Sequence, residues 1–177
     1  MKRTNIKETI KEHFFLNPSA KLRVREIERT LKIPLPSTIR YCKELKEEHI
    51  LTTKQIGKVT FYTADKTSDQ YKLDKRLFNI KKLYTSKIID CLRQEFSNPP
   101  IILFGSYSKG EDIETSDIDL YIETPSQKEP SLKNFEKKLH RKIQIFKSKD
   151  IQNIKNKHLA NNILNGITIN NYIEVFK

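Results

Sequence analysis

The fold of this chain is decided by residues 101–122, which read IILFGSYSKGEDIETSDIDLYI. Ile101–Phe104 is a short, continuous apolar run, and such a run predicts a strand that is buried on both faces. Gly105 allows a tight turn, and Ser106 is expected to open a short helix that closes at Gly110. A turn from a strand into a helix presents free backbone N–H groups, here beside a hydroxyl. This junction therefore predicts a phosphate-binding turn.

Two carboxylates follow on the next apolar segment of the same stretch. Asp117 and Asp119 are separated by one residue, and side-chain alternation along a strand places both on one face. Two carboxylates in this arrangement repel each other unless a divalent cation lies between them. Mg²⁺, or Mn²⁺ in its place, fits, because magnesium is held by one or two carboxylates and the phosphates of a bound triphosphate. The sequence thus predicts a metal site beside the phosphate-binding turn.

The order and spacing of these residues resemble a known family. The pattern G-S-x-x-x-G-x5-S-D-x-D-L runs from Gly105 to Leu120, and it is the signature of the DNA polymerase beta-like nucleotidyltransferase superfamily. Residues 101–176 resemble the minimal, stand-alone members of that superfamily. The resemblance implies Mg²⁺-dependent transfer of a nucleoside monophosphate from a nucleoside triphosphate, with ATP as the expected donor and pyrophosphate as the product released. The implied site residues are Asp117 and Asp119 for catalysis and metal binding, and Gly105, Ser106 and Lys109 for nucleotide binding.

The acceptor of the transferred group is not visible in the sequence. Minimal enzymes that this segment resembles modify proteins, including toxin partners in toxin–antitoxin pairs, and others act on small molecules or RNA. Transfer of AMP to a protein is therefore one expectation, and a toxin partner is one form of it. Lys109 is equally well explained as an ordinary solvated side chain.

One position departs from the pattern of the superfamily. Its members normally carry a third carboxylate on a later strand, predicted here at residues 142–146, and Gln144 occupies that position. Glutamine can offer a carbonyl oxygen to a metal, but it has no charge and cannot act as a base. Two alternatives follow. The first is an active nucleotidyltransferase, and the second is a catalytically impaired protein that senses a nucleotide or regulates transcription.

The N-terminal segment, residues 1–64, predicts three short helices and a β-hairpin. Apolar residues recur at helical spacing in residues 6–15 and again in residues 24–31. Ser37 is the expected N-cap of a third helix. The inner face of that helix is expected to carry Ile39, Cys42 and Leu45.

The hairpin is predicted from two runs with strand character, residues 51–54 and 59–63, with Gly57 in the turn between them. Three helices followed by a hairpin resemble the winged helix-turn-helix family over residues 1–66. In such modules the third helix enters the major groove and the hairpin touches the DNA backbone. The implied DNA-binding residues are Ser37, Arg40, Tyr41, Lys43, Lys54 and Lys58.

The charged residues of the predicted third helix include some that favour DNA binding and some that oppose it. Arg40 suits a guanine edge, whereas lysines neutralise phosphate. Glu44 and Glu47 lie on the same outward arc and would repel phosphate. Dimerisation or contact with another protein is therefore the alternative role of this module, and a homodimer is a further expectation.

The segment between these regions, residues 67–98, contains one long amphipathic stretch from Asp69 to about Phe96 with a period near 3.6. It predicts one helix, or two with a hinge. The whole chain is thus expected to be an α/β (α+β) protein with three parts: a winged helix-turn-helix at 1–66, a helical connector at 67–98 and a small mixed-sheet nucleotidyltransferase domain at 99–177. This layout resembles helix-turn-helix nucleotidyltransferases of prokaryotes.

Composition limits the class of protein further. The 177 residues are 32% charged and 36% hydrophobic, which argues against a disordered polymer. No apolar run approaches the ~20 residues that a membrane-spanning helix needs, and residues 1–8 lack the apolar core of a signal peptide. We therefore expect a soluble, cytoplasmic protein without a membrane partner.

The charge balance is strongly basic, with 34 Lys and Arg against 22 Asp and Glu, a net charge of +12. Such an excess favours nucleic acid, nucleotides or another polyanion as a partner, although a lysine-rich surface that only maintains solubility is an equal alternative. Cys42 and Cys91 are not paired in a CxxC motif, so two reduced structural thiols are expected. The four histidines form no spacing typical of zinc ligands, and a zinc site is not expected. These histidines are His13, His49, His140 and His158.

Overall fold

A computed structural model of the chain describes residues 5–176. These residues form two compact units, 5–78 and 79–176. The predicted helix-turn-helix module and the charged N-terminal segment include residues 1–4, and the predicted C-terminal domain includes residue 177. Those positions lie outside the described residues.

The N-terminal unit contains the three helices and the hairpin that the sequence predicts. The helices are α1 (Ile6–Leu16), α2 (Val24–Leu31) and α3 (Leu35–Glu47), and the antiparallel strands are β1 (Leu51–Ile56) and β2 (Val59–Ala64). This order is the one on which the resemblance to winged helices rests. Membership of that family stays a prediction.

The start of α3 differs from the prediction. Its N-cap is Pro34, and Ser37 lies inside the first turn, so Ser37 does not cap the helix. A proline is tolerated here because the first N–H groups of a helix have no partner within the helix. The capping preference of serine was therefore misleading at this position.

The inner face of α3 also differs by one residue. Thr38, not Ile39, is buried beside Cys42 and Leu45, and Ile39 is 41% exposed. Residues at i, i+4 and i+7 follow one face of a helix more closely than residues at i, i+3 and i+6. The Thr38 hydroxyl donates to the carbonyl of Pro34 at 3.0 Å, which satisfies its hydrogen-bonding need inside the core.

The core of this unit joins all three helices to the hairpin. Its buried members are Ile10, Phe14, Phe15, Ile27, Cys42, Leu45, Ile50, Leu51, Ala64 and Tyr71. Burial raises the pKa of the Cys42 thiol to about 12, which fits the structural role predicted for it. The backbone bridge between Leu22 and Tyr62 was not predicted; it pairs Leu22 with the edge of β2 that faces away from β1.

The long amphipathic stretch forms two helices, α4 (Asp69–Ser86) and α5 (Ile88–Glu95). Between them Lys87 adopts the left-handed conformation, with φ at 71°, and this interrupts the helix. The boundary between the two compact units lies inside α4, between residues 78 and 79. The three-part division of the chain stays a prediction.

The C-terminal unit is built on a four-stranded mixed sheet, as predicted. Its elements in chain order are β3 (Ile101–Phe104), α6 (Gly105–Lys109), β4 (Ile118–Glu123), α7 (Lys133–Leu139), β5 (Ile143–Ser148), α8 (Lys157–Leu164) and β6 (Ile167–Asn170). The strand order is β5-β4-β3-β6, in which β3 is antiparallel to β4 and β6. β4 and β5 are parallel, and α7 is the helix in the connection that parallel neighbours require.

Alternation along β4 divides its side chains between the two faces of the sheet. Ile118 and Leu120 belong to the larger core with α5 and α7, and Tyr121 belongs to the core on the opposite face. Asp119 lies between Ile118 and Leu120, so it shares the face of Tyr121. Within residues 5–176 no helix is both long enough and apolar enough to cross a membrane.

Candidate functional site

The turn between β3 and α6 is in direct contact with one of the predicted metal-binding carboxylates. Phe104 is the antiparallel partner of Asp119, so the residue that follows Phe104 lies beside the Asp119 side chain. A Cβ on Gly105 would overlap with Oδ2 of Asp119 and lie 3.2 Å from its Cγ. Gly105 also has a φ of +74°, in the left-handed region. Only glycine combines a left-handed backbone with the absence of a Cβ, so only glycine fits here. The structure thus brings the predicted turn and the predicted carboxylate Asp119 together.

The two predicted carboxylates lie side by side at the start of β4. Asp119 is the second residue of the strand and is partly buried, whereas Asp117 immediately precedes the strand and is exposed. Both carboxylates were predicted to lie inside the strand, and for Asp117 this prediction is wrong, because β4 begins at Ile118. Burial and the negative charge of Asp117 raise the pKa of Asp119 above its usual value. A bound cation would remove this electrostatic cost.

The position next to Asp119 on β5 is occupied by Gln144. The two residues are partners in the parallel ladder, and Gln144 is exposed. No group of three or more His, Cys, Asp or Glu residues in the described part of the chain could hold a metal ion. The protein ligands on offer are therefore two carboxylates and one amide oxygen. Magnesium fits this donor set, because it takes one or two carboxylates and completes its shell with phosphate oxygens and water.

The hydroxyl of Ser106 is available to a ligand. It has no hydrogen-bond partner within residues 5–176, whereas the Ser108 hydroxyl donates to the carbonyl of Gly105 at 2.8 Å. Ser106 uses its own carbonyl to accept from Glu111 N–H at 3.0 Å, which closes the short helix. Lys109 is the last residue of α6 and is exposed. The two serines thus differ: the Ser108 hydroxyl stabilises the turn, whereas Ser106 is half-buried and its hydroxyl has no hydrogen-bond partner among the described residues.

A buried polar network packs behind α6 and was not predicted from the sequence. The Asn79 amide donates to the carbonyl of Tyr107 at 2.9 Å and to Asp112 at 2.8 Å. Arg141 lies 3.6 Å from the same carboxylate, and the side chains of Asp112 and Arg141 are 2% and 6% exposed. Buried charges persist in proteins when they are paired and hydrogen-bonded. The network fixes α6 relative to the loop before β4 and to the start of β5.

The predicted DNA-binding residues of the N-terminal unit fall into two groups. Lys43, Lys54 and Lys58 are exposed and have no ion-pair partner among the described residues, while Ser37 and Tyr41 are partly buried. The Arg40 guanidinium lies over the Tyr41 ring, 4.4 Å from its centroid, and donates to the Tyr41 hydroxyl.

The acidic residues of α3 are partly neutralised within this unit. Glu44 lies 3.7 Å from Arg40 and 3.3 Å from Lys7. Glu47 is exposed, as the sequence indicates. Arg40 is therefore engaged on its own helix, and the three lysines are the free cations of the predicted DNA-binding set.

Comparison with protein-family models gives a match in the C-terminal unit. The family model of the nucleotidyltransferase domain matches residues 85–164, from the end of α4 through α8. The matched segment contains the turn, both carboxylates and Gln144, and it begins upstream of the start near residue 101 that the sequence pattern indicated. No curated protein and no solved structure shows a significant similarity to the chain. The match supports the nucleotidyltransferase part of the resemblance.

Proposed function

We propose that the C-terminal unit transfers a nucleoside monophosphate from a nucleoside triphosphate, with ATP as the expected donor, to a hydroxyl group of an acceptor. The observation that carries the proposal is the contact between Gly105 and Asp119, inside the segment that matches the nucleotidyltransferase domain. This contact supports the proposal because the proposed phosphate-binding turn and the proposed metal-binding carboxylate are neighbours.

The turn is the proposed site of the triphosphate. The Ser106 hydroxyl and the backbone N–H groups at the start of α6 would donate to phosphate oxygens. The absence of a side chain at Gly105 lets the Asp119 carboxylate lie against the turn. Lys109 would add charge if its side chain turns toward the nucleotide.

Asp117 and Asp119 would hold Mg²⁺, or Mn²⁺ in its place. The raised pKa of Asp119, caused by burial and by Asp117, supports this assignment, because it shows two like charges held close together. When bound, magnesium offsets the negative charge of the triphosphate and of the transition state.

The reaction is an in-line displacement at phosphorus. The acceptor hydroxyl oxygen forms a bond to the α-phosphorus, the bond from that phosphorus to the α,β-bridging oxygen breaks, and pyrophosphate leaves with the electron pair. The proton of the hydroxyl has to leave as well. Gln144 cannot accept it, so water or a group on the substrate takes the proton, and we expect slow turnover.

Label transfer from α-labelled nucleoside triphosphates tests the proposal. The acceptors offered are the protein itself, RNA and a cell lysate, with Mg²⁺ or Mn²⁺ present, and a labelled protein in the lysate would identify a protein acceptor such as a toxin partner. We expect transfer to fall at least about 100-fold in Asp117→Asn/Asp119→Asn. The control Asp69→Asn/Asp90→Asn removes the same charge at exposed positions and should remain active. Transfer that persists in the first variant contradicts the proposal.

A second candidate function is DNA binding by the N-terminal unit, alone or in a regulator whose catalytic site is impaired. The exposed, unpaired Lys43, Lys54 and Lys58 and the exposed Gln144 favour it. Three phosphate contacts predict that log affinity falls with log salt at a slope of about −3. The slope should vanish in Lys43→Gln/Lys54→Gln/Lys58→Gln and persist in a triple variant at Lys128, Lys138 and Lys157.

If the N-terminal unit instead forms a homodimer, sedimentation equilibrium will give twice the 20.9 kDa mass of the chain. DNA affinity would then be insensitive to the triple substitution. The two results separate an interaction module from a DNA-binding one.

A further inference from the structure

The side chain of Asn79 is buried on α4 but makes its hydrogen bonds outside that helix. Asn79 is 2% exposed, and its amide nitrogen donates to the carbonyl of Tyr107 at 2.9 Å and to Oδ1 of Asp112 at 2.8 Å. Tyr107 is the central residue of α6, two positions after Gly105. Because an asparagine amide has two donor hydrogens, both are used on the segment that forms the proposed triphosphate site.

Packing alone does not require an amide at this position of α4. Leu83, one turn after Asn79, is fully buried in the core of the C-terminal unit, and Ile80 packs against the same core. Burying an amide costs free energy unless its hydrogen bonds are made, and the bonds then add little net stability. A fully satisfied buried polar group does, however, fix one geometry of the groups that it joins. For Asn79, that geometry is the position of α6.

Asp112 extends these hydrogen bonds to the other segments of the site. Its Oδ2 atom lies 3.6 Å from Arg141, and the two side chains are 2% and 6% exposed. Along the chain, Arg141 precedes Gln144 by three residues, and β5 begins between them. Asp112 itself precedes Asp117 by five residues. The segments that carry α6, the carboxylates and Gln144 are therefore tied together at one buried carboxylate.

We propose that Asn79 is a positioning residue of the nucleotide site, an inference that rests on the proposed function. Its two hydrogen bonds hold α6 in the position in which Gly105 lies against Asp119. Without the amide, two buried acceptors each lose a donor, and α6 shifts because those acceptors need new partners. A misplacement of about 1 Å at such a site is enough to weaken binding or turnover strongly.

The test compares Asn79→Leu with Ser86→Ala in the full chain. Leucine keeps a branched side chain at position 79 and removes both hydrogen bonds. Ser86 is a matched control on the same helix: it is 5% exposed, donates to the Leu83 carbonyl at 2.7 Å and accepts from the Ile88 N–H at 3.3 Å. Neither of these bonds involves α6. Asn79→Ala, which removes the amide without adding volume, is measured in parallel and should behave as Asn79→Leu does.

Nucleotide affinity is the first quantity measured, under conditions in which unfolding curves show each variant to be folded. By calorimetry with Mg²⁺ and a non-hydrolysable ATP analogue, the dissociation constant should rise at least about tenfold in Asn79→Leu and change less than about twofold in Ser86→Ala. In label transfer, the KM for ATP should rise by a similar factor in Asn79→Leu. A merely structural role would lower the amount of active protein and leave the KM unchanged.

A measurement without nucleotide separates this inference from the proposed function. The Glu111 N–H donates to the Ser106 carbonyl at 3.0 Å, so its hydrogen exchange reports on the end of α6. Exchange should be at least about tenfold faster in Asn79→Leu and unchanged in Ser86→Ala. If the wild type binds no ATP analogue, the proposed function fails, and the exchange of Glu111 alone decides whether Asn79 positions α6.

The remaining outcomes overturn the inference. Wild-type values of affinity and KM in Asn79→Leu would show that the nucleotide site does not depend on the amide. Unchanged exchange at Glu111 would show that α6 does not depend on it. Failure of both Asn79 variants to fold, with Ser86→Ala folded, would show that the amide is required for the core and not for the site.

Discussion

Charged side chains are arranged in opposite ways on α3 of the N-terminal unit and at the start of β4 in the C-terminal unit. On α3, Glu44 is paired with Lys7, and Arg40 is stacked on Tyr41. At the start of β4, by contrast, Asp117 and Asp119 are neighbours, and neither has an ion-pair partner among residues 5–176. A like-charge pair lowers stability, so its presence requires an explanation outside folding, and a ligand supplies one. Neutralised charges on α3 need no such explanation.

The largest effect is expected from adding one Cβ atom beside the Asp119 carboxylate. Gly105→Ala introduces a Cβ into the space of the Asp119 carboxylate, and we expect label transfer to fall about 100-fold because the carboxylate is displaced. Unfolding measurements should show a loss of about 2 kcal/mol, since alanine disfavours the left-handed conformation.

Gly166→Ala is the matched control for this substitution. A Cβ at Gly166 would lie 2.6 Å from the carbonyl oxygen of Leu103, without contact to either carboxylate. We expect lower stability and unchanged transfer per folded molecule. Transfer that survives in Gly105→Ala would remove the basis for the proposed site.

The second prediction adds negative charge beside the two carboxylates at the start of β4. Gln144→Asp places a third carboxylate beside Asp119 on the neighbouring strand, and adjacent strands are about 4.8 Å apart. Mg²⁺ affinity, measured by calorimetry with a non-hydrolysable ATP analogue, should rise about tenfold or more. Gln144→Asn, which has the same shape without the charge, should not raise it; a rise in both variants would show that charge is not the cause.

The third prediction removes one of the like charges. The folded-state pKa of Asp119 lies above its ordinary value, so the folded state holds the proton more tightly than the unfolded chain does. The group therefore favours folding at low pH, and this contribution is lost as pH rises through the folded-state pKa. At pH 7 without divalent ions, Asp119→Asn should raise Tm by a few degrees. Mg²⁺ with the ATP analogue should then stabilise the wild type more than the variant, and an unchanged or lower Tm in Asp119→Asn would refute the argument.

The smallest effect is expected on α3. Glu44→Gln breaks ion pairs with Lys7 and Arg40, and because these pairs are largely exposed, chemical denaturation should show a loss of at most about 1 kcal/mol. Glu47→Gln removes the same charge from a position without an ion pair among the described residues and should cost less. A larger loss for Glu47→Gln would mean that the charges of this unit are not arranged as described.

Local chemistry explains which parts of the site the sequence could predict. The turn at Gly105 and the alternation around Asp119 depend on neighbours in the chain, so both were found from the pattern. The bonds from Asn79 to Tyr107 and Asp112 join residues 28 and 33 positions apart, and no local pattern marks them.

The errors on α3 have the same origin. Ser37 and Ile39 carry strong local preferences, for a cap and for burial, that the proline-led start of the helix and the packing of its core override. The bridge between Leu22 and Tyr62 also pairs distant residues. What the sequence left out in both units is thus the set of contacts that folding creates between remote positions.

The hydrogen bonds of Asn79 affect how this domain can be transferred between genes. The sequence pattern suggested a domain boundary at residue 99. A gene fragment that encodes residues 99–177 would carry the turn and the two carboxylates to a new protein. It would leave behind the amide that donates to the Tyr107 carbonyl and to Asp112. Recombination that moves this domain between genes should therefore bring the second half of α4 with it, and fusion points upstream of residue 79 should be favoured over points in the loop before β3.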